Sequence, residues 1–156
     1  MISKRFLGIL SLLALATVPA LAKPDFSGNW KLNASKSTLG QMPAPDSMTY
    51  KVKQEDNKLT SDSKQSSQMG DFDQHAVYTL DGKESSNEGF GGGAMKSTAK
   101  WDGDTLVVES KGTFGDNEMT ISAKWSLSAD GKTLTIDQTI KSPMGDMQMK
   151  QVFDKQ

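Results

Sequence analysis

From residue 48 onward the chain is a succession of short runs in which apolar and polar residues alternate, cut by glycine-bearing turns about every 10 to 15 residues. Met48, Tyr50 and Val52 alternate with Thr49, Lys51 and Lys53. Met119, Ile121, Ala123, Trp125 and Leu127 alternate with Thr120, Ser122, Lys124 and Ser126. Leu134, Ile136 and Ile140 oppose Thr135, Asp137 and Thr139, with Gln138 interrupting the apolar side. Period two means strands with one buried and one wet face. Asp81-Gly82, Asp102-Gly103 and Asp130-Gly131 suit tight hairpins, because glycine accepts positive φ without a Cβ clash. Such spacing leaves no room for crossover helices. Strands are expected near 26–33, 48–54, 58–66, 72–80, 83–89, 94–101, 105–114, 118–127, 132–141 and 147–154. The exception is 34–47, where Pro43 and Pro45 limit any helix to a short one. Ala99-Lys100-Trp101 before Asp102-Gly103 is echoed by Ala123-Lys124-Trp125 before Asp130-Gly131, a weak internal repeat. About eight to ten sequential antiparallel strands would expose two sheet edges unless the sheet closed on itself or folded into two layers. An all-β, antiparallel up-and-down barrel is the first expectation and a β-sandwich the alternative.

Composition matters most at the N-terminus. Lys4 and Arg5 precede an apolar run, Phe6 to Val18, and Ala20-Leu21-Ala22 places small residues before a cleavage point. This is the pattern of a signal peptide over 1–22, and the run is too short to span a bilayer. The mature domain, 23–156, would be secreted or periplasmic. Of the 156 residues none is cysteine, which excludes disulfides, thiolate metal sites and a catalytic thiol. Arg5 is the only arginine, so the mature chain carries lysine as its sole strong cation. Its lysines are interspersed with acids, and no arginine is present to read or stack on bases, so nucleic acid is not an expected partner. Lys51, Lys53, Lys100, Lys124 and Lys141 read as solvated outer faces.

Phe26-Ser27-Gly28-Asn29-Trp30-Lys31-Leu32 resembles the opening strand of the calycin superfamily, the lipocalins and fatty-acid-binding proteins. The wider stretch, Pro24 to Asn33 with Lys36-Ser37 beyond it, is similar to small secreted bacterial proteins of lipocalin-like type. The resemblance implies a barrel whose floor is plugged by Trp30, its indole N–H directed to a backbone carbonyl, with Gly28 allowing a close approach. It also implies a cation stacked across that tryptophan near the end of the last strand, for which Lys150 or Lys155 would have to serve. Fatty-acid-binding proteins end in an Arg-x-Tyr that holds a carboxylate, whereas this chain has Gln151-Val152-Phe153. A fatty-acid ligand is therefore not implied.

If Tyr50, Tyr78, Trp101 and Trp125 point inward, the same faces bring Ser61, Ser63, Ser97, Ser110, Gly112 and Gln138. Small and hydroxylated residues among aromatics leave room for a ligand cavity, or the aromatics simply fill the core, and both alternatives stay open. The candidate ligand residues are Tyr50, Tyr78, Ser97, Trp101, Ser110, Trp125 and Gln138, with Gly28, Trp30 and Lys150 as floor residues. Catalysis has little support in the residues. His75, the only histidine, falls on the polar face of its strand, and no serine-nucleophile signature accompanies it. Met144, Met147 and Met149 have spacing that a soft metal could use, but methionine is also ordinary strand filler. Asp71, Asp73, Asp102 and Asp104 are explained by turns. No cofactor and no resident metal are expected. The leading expectation is a monomeric, non-catalytic binding protein for a small hydrophobic or amphipathic ligand. The runner-up is a structural or interaction module of the cell envelope with a filled core.

Overall fold

In the computed structural model, which describes residues 22–89 and 92–156, every alternating run forms a strand. The strands are β1 (Gly28–Leu32), β2 (Ser47–Glu55), β3 (Lys58–Ser67), β4 (Gly70–Thr79), β5 (Asp81–Glu88), β6 (Ala94–Asp102), β7 (Thr105–Phe114), β8 (Asn117–Leu127), β9 (Thr133–Ser142) and β10 (Gly145–Lys155). They make one antiparallel sheet of order β4-β3-β2-β1-β10-β9-β8-β7-β6-β5. Pairing of β1 with β10 curls the sheet round, so the fold is the expected up-and-down barrel rather than the sandwich. The predicted signal peptide falls outside the described residues except for Ala22.

One turn reading is corrected. Asp81-Gly82 is not the hinge of a paired hairpin: Asp81 opens β5 and pairs with Lys100 of β6, and only Leu80 separates β4 from β5. These two strands share no ladder, and the register of β5 slips between Asp81 and Glu84. The barrel thus has a seam. Side chains bridge it instead of a backbone ladder. Val77 N–H donates to Asn87 Oδ1 (2.8 Å), and Asn87 Nδ2 donates to the Val77 carbonyl (3.1 Å). Thr79 N–H reaches Ser85 Oγ at 3.3 Å, Thr79 Oγ1 donates to the Lys83 carbonyl at 3.1 Å, and Gln74 Nε2 donates to the Glu88 carbonyl at 3.2 Å. The Asn87 amide stands in for a ladder rung.

Segment 33–46 contains a single 3-10 turn, Ala34–Lys36, capped by Asn33. It then runs beside β10 where β1 has ended. Asn33 N–H donates to the Val152 carbonyl at 2.7 Å, and Thr38 and Lys150 exchange backbone bonds of 2.8 and 2.7 Å. Val152 N–H donates to Ser37 Oγ at 2.9 Å. Val152 is buried as a result, although its place in the alternation puts it on the outer face.

Strand directions define the two ends. The turns after β2, β4, β6 and β8 and the segment before β1 lie at one end, and the linker 33–46 with the turns after β3, β5, β7 and β9 at the other. The core sits toward the first end, with Phe26, Trp30, Leu59, Leu106, Leu134 and Phe153 fully buried.

Candidate functional site

The closed end is built around Trp30. Its Nε1 donates to the carbonyl of Phe26 at 2.9 Å, which satisfies a buried indole within the same short segment. Phe26 folds beneath the barrel, stacked on Trp101 (centroids 5.8 Å apart, planes 9°) and edge-on to Trp125 (5.8 Å, 83°). Tyr50 meets Trp125 and Phe153 edge-on at 5.9 and 5.1 Å. The cation across Trp30 is Lys155, with Nζ 5.2 Å from the ring centre. Lys150 does not take that place, because it lies on the outer face of β10, exposed and bridged to Thr38. Gly28 is needed for this arrangement. Its φ is +147°, and a Cβ there would lie 2.9 Å from Lys155 Cε.

The candidate ligand residues therefore divide by height. Tyr50, Tyr78, Trp101 and Trp125 pack into the hydrophobic cluster of the closed half. Burial pushes the Tyr50 hydroxyl up to about 12, partly offset by its bond to Ser63, and it pushes Tyr78 up as well, with Tyr50 adding to the effect. Ser97 and Ser110, paired across β6 and β7, are buried and satisfy one another at 2.8 Å. Gln138 is partly buried and pairs with Ala123 of β8 and Met149 of β10. Every buried side-chain nitrogen and oxygen among the described residues has a hydrogen-bond partner.

The open half is different. Ser63, Gln65, Gln74, Met119, Gln138, Ile140, Met147 and Met149 occupy inward positions of their strands, yet each is partly exposed. Beyond Met1 the chain has eight methionines, and all lie in the open-end halves of strands, in the linker or in the open-end turns. Met42, Met69 and Met144 are exposed there, as is Phe72, while Met48 and Met95 are buried. This clustering is invisible along the sequence, because the methionines come from six separate segments that only the strand directions bring to one rim. Thioethers on unbranched stems make a lining that adapts its shape at little cost. Met144 is 80% exposed in its turn while Met147 and Met149 face the axis, so the three do not form one soft-metal surface.

Two concave features lie on the outside of the barrel. One, of about 620 Å³, crosses the outer face of β1 to β4, with Lys51, Asp62, Lys64, Asp73 and His75, and reaches Glu88. The other, about 360 Å³, lies over β8 to β10, with Lys124, Asp137, Gln148 and Lys150. His75 faces solvent as expected, its Nδ1 2.6 Å from Asp62 Oδ1. Lys64 and Asp73 pair at 3.7 Å. These are exposed cross-strand pairs of a solvated sheet. Among the described residues no three His, Asp or Glu side chains gather in a metal-ligating group, and no helix is long and apolar enough to cross a membrane.

No protein-family model and no curated protein matches the chain. Solved structures do. The zebrafish ileal bile acid-binding protein complexed with cholic acid is 17% identical, with 84% of this chain and 98% of that one covered, at a TM-score of 0.59. Lipid binding protein 8 of Caenorhabditis elegans, determined without ligand, is 12% identical over 84% and 95%, at 0.60. Secretory abundant heat soluble protein 4 of Ramazzottius varieornatus is 15% identical over 88% and 99%, at 0.56. At such identities the likeness shows the fold alone: the protein shares the antiparallel up-and-down β-barrel of these structures, which agrees with the barrel that Gly28-Asn29-Trp30 implies.

Proposed function

We propose that the protein is a non-catalytic binder of a small hydrophobic or amphipathic molecule, which it holds in the open half of the barrel. The observation that carries this reading is the contrast between the two halves. The closed half is filled by interlocking aromatics, whereas the open half has residues at inward strand positions that stay only partly buried. Partly exposed apolar surface turned inward is what a ligand would cover. The fold neighbours include a bile acid-binding protein and a lipid binding protein, which favours the same use of the barrel here. Export after cleavage following Ala22 would place this activity outside the cytoplasm.

The test is native mass spectrometry of the protein purified from its own host, combined with fluorescence of a hydrophobic dye. Co-purifying small molecules, and dye fluorescence they displace, are the expected result. Repeated absence of both refutes the proposal. A second reading, an interaction module of the cell envelope, is favoured by one observation: both concave features lie on the outer surface. It predicts dye exclusion together with a binding partner lost on charge reversal at Lys51 and Lys64.

A further inference from the structure

Among the described residues the inner wall of the open half carries no charge. Among the described residues the buried polar side chains are Ser61, Ser97, Ser110 and Gln151, and none is acidic or basic. The partly exposed inward positions of the open half add hydroxyls, amides, thioethers and the Ile140 side chain, none of them charged. The charged residues of the strand walls fall on the outward phase of the alternation, as in Lys51, Asp62, Lys64, Asp73 and Lys124. Lysines approach the axis only at the closed end, where Lys155 lies across Trp30 and Lys23 across Trp101. The floor cluster stands between those ammonium groups and the open half.

We propose that the ligand is an uncharged amphipathic molecule, one with a hydroxyl, ester or amide head on an apolar body, and that the barrel discriminates against carboxylates and amines of the same size. This rests on the binding reading above and narrows it to a chemical class. An ionised head entering this space leaves its water and meets no counter-charge, a loss that neutral amides and hydroxyls do not make good. A neutral head exchanges water for Ser63, Gln65, Gln74 or Gln138 at little net cost. The interior already treats its own titratable groups this way, holding both tyrosine hydroxyls neutral to higher pH.

The test is displacement of a bound hydrophobic dye by four saturated chains of equal length ending in alcohol, primary amide, carboxylate and ammonium, at pH 8 and below their micelle concentrations. The alcohol and amide are expected to bind at least ~10-fold more tightly than either ion. The carboxylate should tighten as pH falls and it becomes protonated. Gln138→Lys, checked for folding by circular dichroism, should raise the affinity for the carboxylate specifically. An ion that binds as tightly as the alcohol to the wild-type protein overturns the neutral-ligand inference and leaves the binding reading standing. If neither the dye nor any chain binds, the binding reading itself fails, and the inference falls with it. The wild-type series decides the matter whether or not the variant folds.

Discussion

Asn87 replaces a missing rung of backbone hydrogen bonds between β4 and β5, so its removal should open the barrel at one known place. Its side chain accepts from Val77 N–H at 2.8 Å and donates to the Val77 carbonyl at 3.1 Å, both partly buried. In Asn87→Ala both bonds are lost. At about 0.5–1.5 kcal/mol each, the local cost is about 1–3 kcal/mol, which corresponds to about a 5- to 150-fold increase in opening of the seam. Hydrogen exchange of the Val77 amide, followed residue by residue, reads this directly. Exchange should accelerate by that factor at Val77, while amides of β8 and β9, with partners on both sides, slow or quicken only with global stability. Asn87→Asp keeps the acceptor for Val77 N–H but sets a carboxylate oxygen against the Val77 carbonyl, so it should protect the amide while still destabilising the seam. Ser85→Ala, removing a longer bond of 3.3 Å, should have a smaller effect at Thr79. Val77 protection unchanged in Asn87→Ala, or lost equally throughout the sheet, would refute a side-chain staple at this position.

Three other predictions follow from the closed half. Trp30→Phe removes the donor to the buried Phe26 carbonyl and leaves space under the barrel, so thermal unfolding should report a loss of about 2–4 kcal/mol; a loss below about 1 would contradict the floor role. Ser97→Ala or Ser110→Ala each strands a buried hydroxyl at about 1–3 kcal/mol, whereas the double variant should cost clearly less than the sum, and additive denaturant midpoints would count against the 2.8 Å pair. The chain has two tyrosines, and burial raises both, Tyr50 to about 12 from about 10. The neutral form is favoured in the fold, so this contribution is complete below the unfolded value and is lost as pH rises through the folded one; for Tyr50 that is about 2–3 kcal/mol between pH 10 and 12. Phenolate absorbance should stay low until the protein unfolds in that window, and ionisation near pH 10 in the folded protein would show the hydroxyls to be solvated.

Most of the wall was legible from period two alone. All ten expected strands agree with the observed ones to within about two residues at each end, because a face that must be buried fixes both pairing register and turn positions. The floor was legible too, since Gly28, Trp30 and the carbonyl of Phe26 lie within one short segment. The seam was not. Asp81-Gly82 has the composition of a hairpin turn, yet whether two successive strands share a ladder depends on twist and shear accumulated around the whole barrel. Lys150 and Lys155 were equivalent as lysines near the end, and only the β1–β10 register, which pairs Trp30 with Lys155, selects Lys155.

What the sequence determined by itself is the set of strands, the inward and outward phase of each, and hence a charge-free lining, because alternation is a local property of a pleated backbone. What tertiary structure decided is how that lining is divided along the axis. Strand direction gathers methionines from distant segments at one rim, and the fold of the N-terminal segment drives Phe26 among the tryptophans at the other end. Those are long-range consequences of closure. They leave one half closely packed and the other with partly buried side chains at its inward positions.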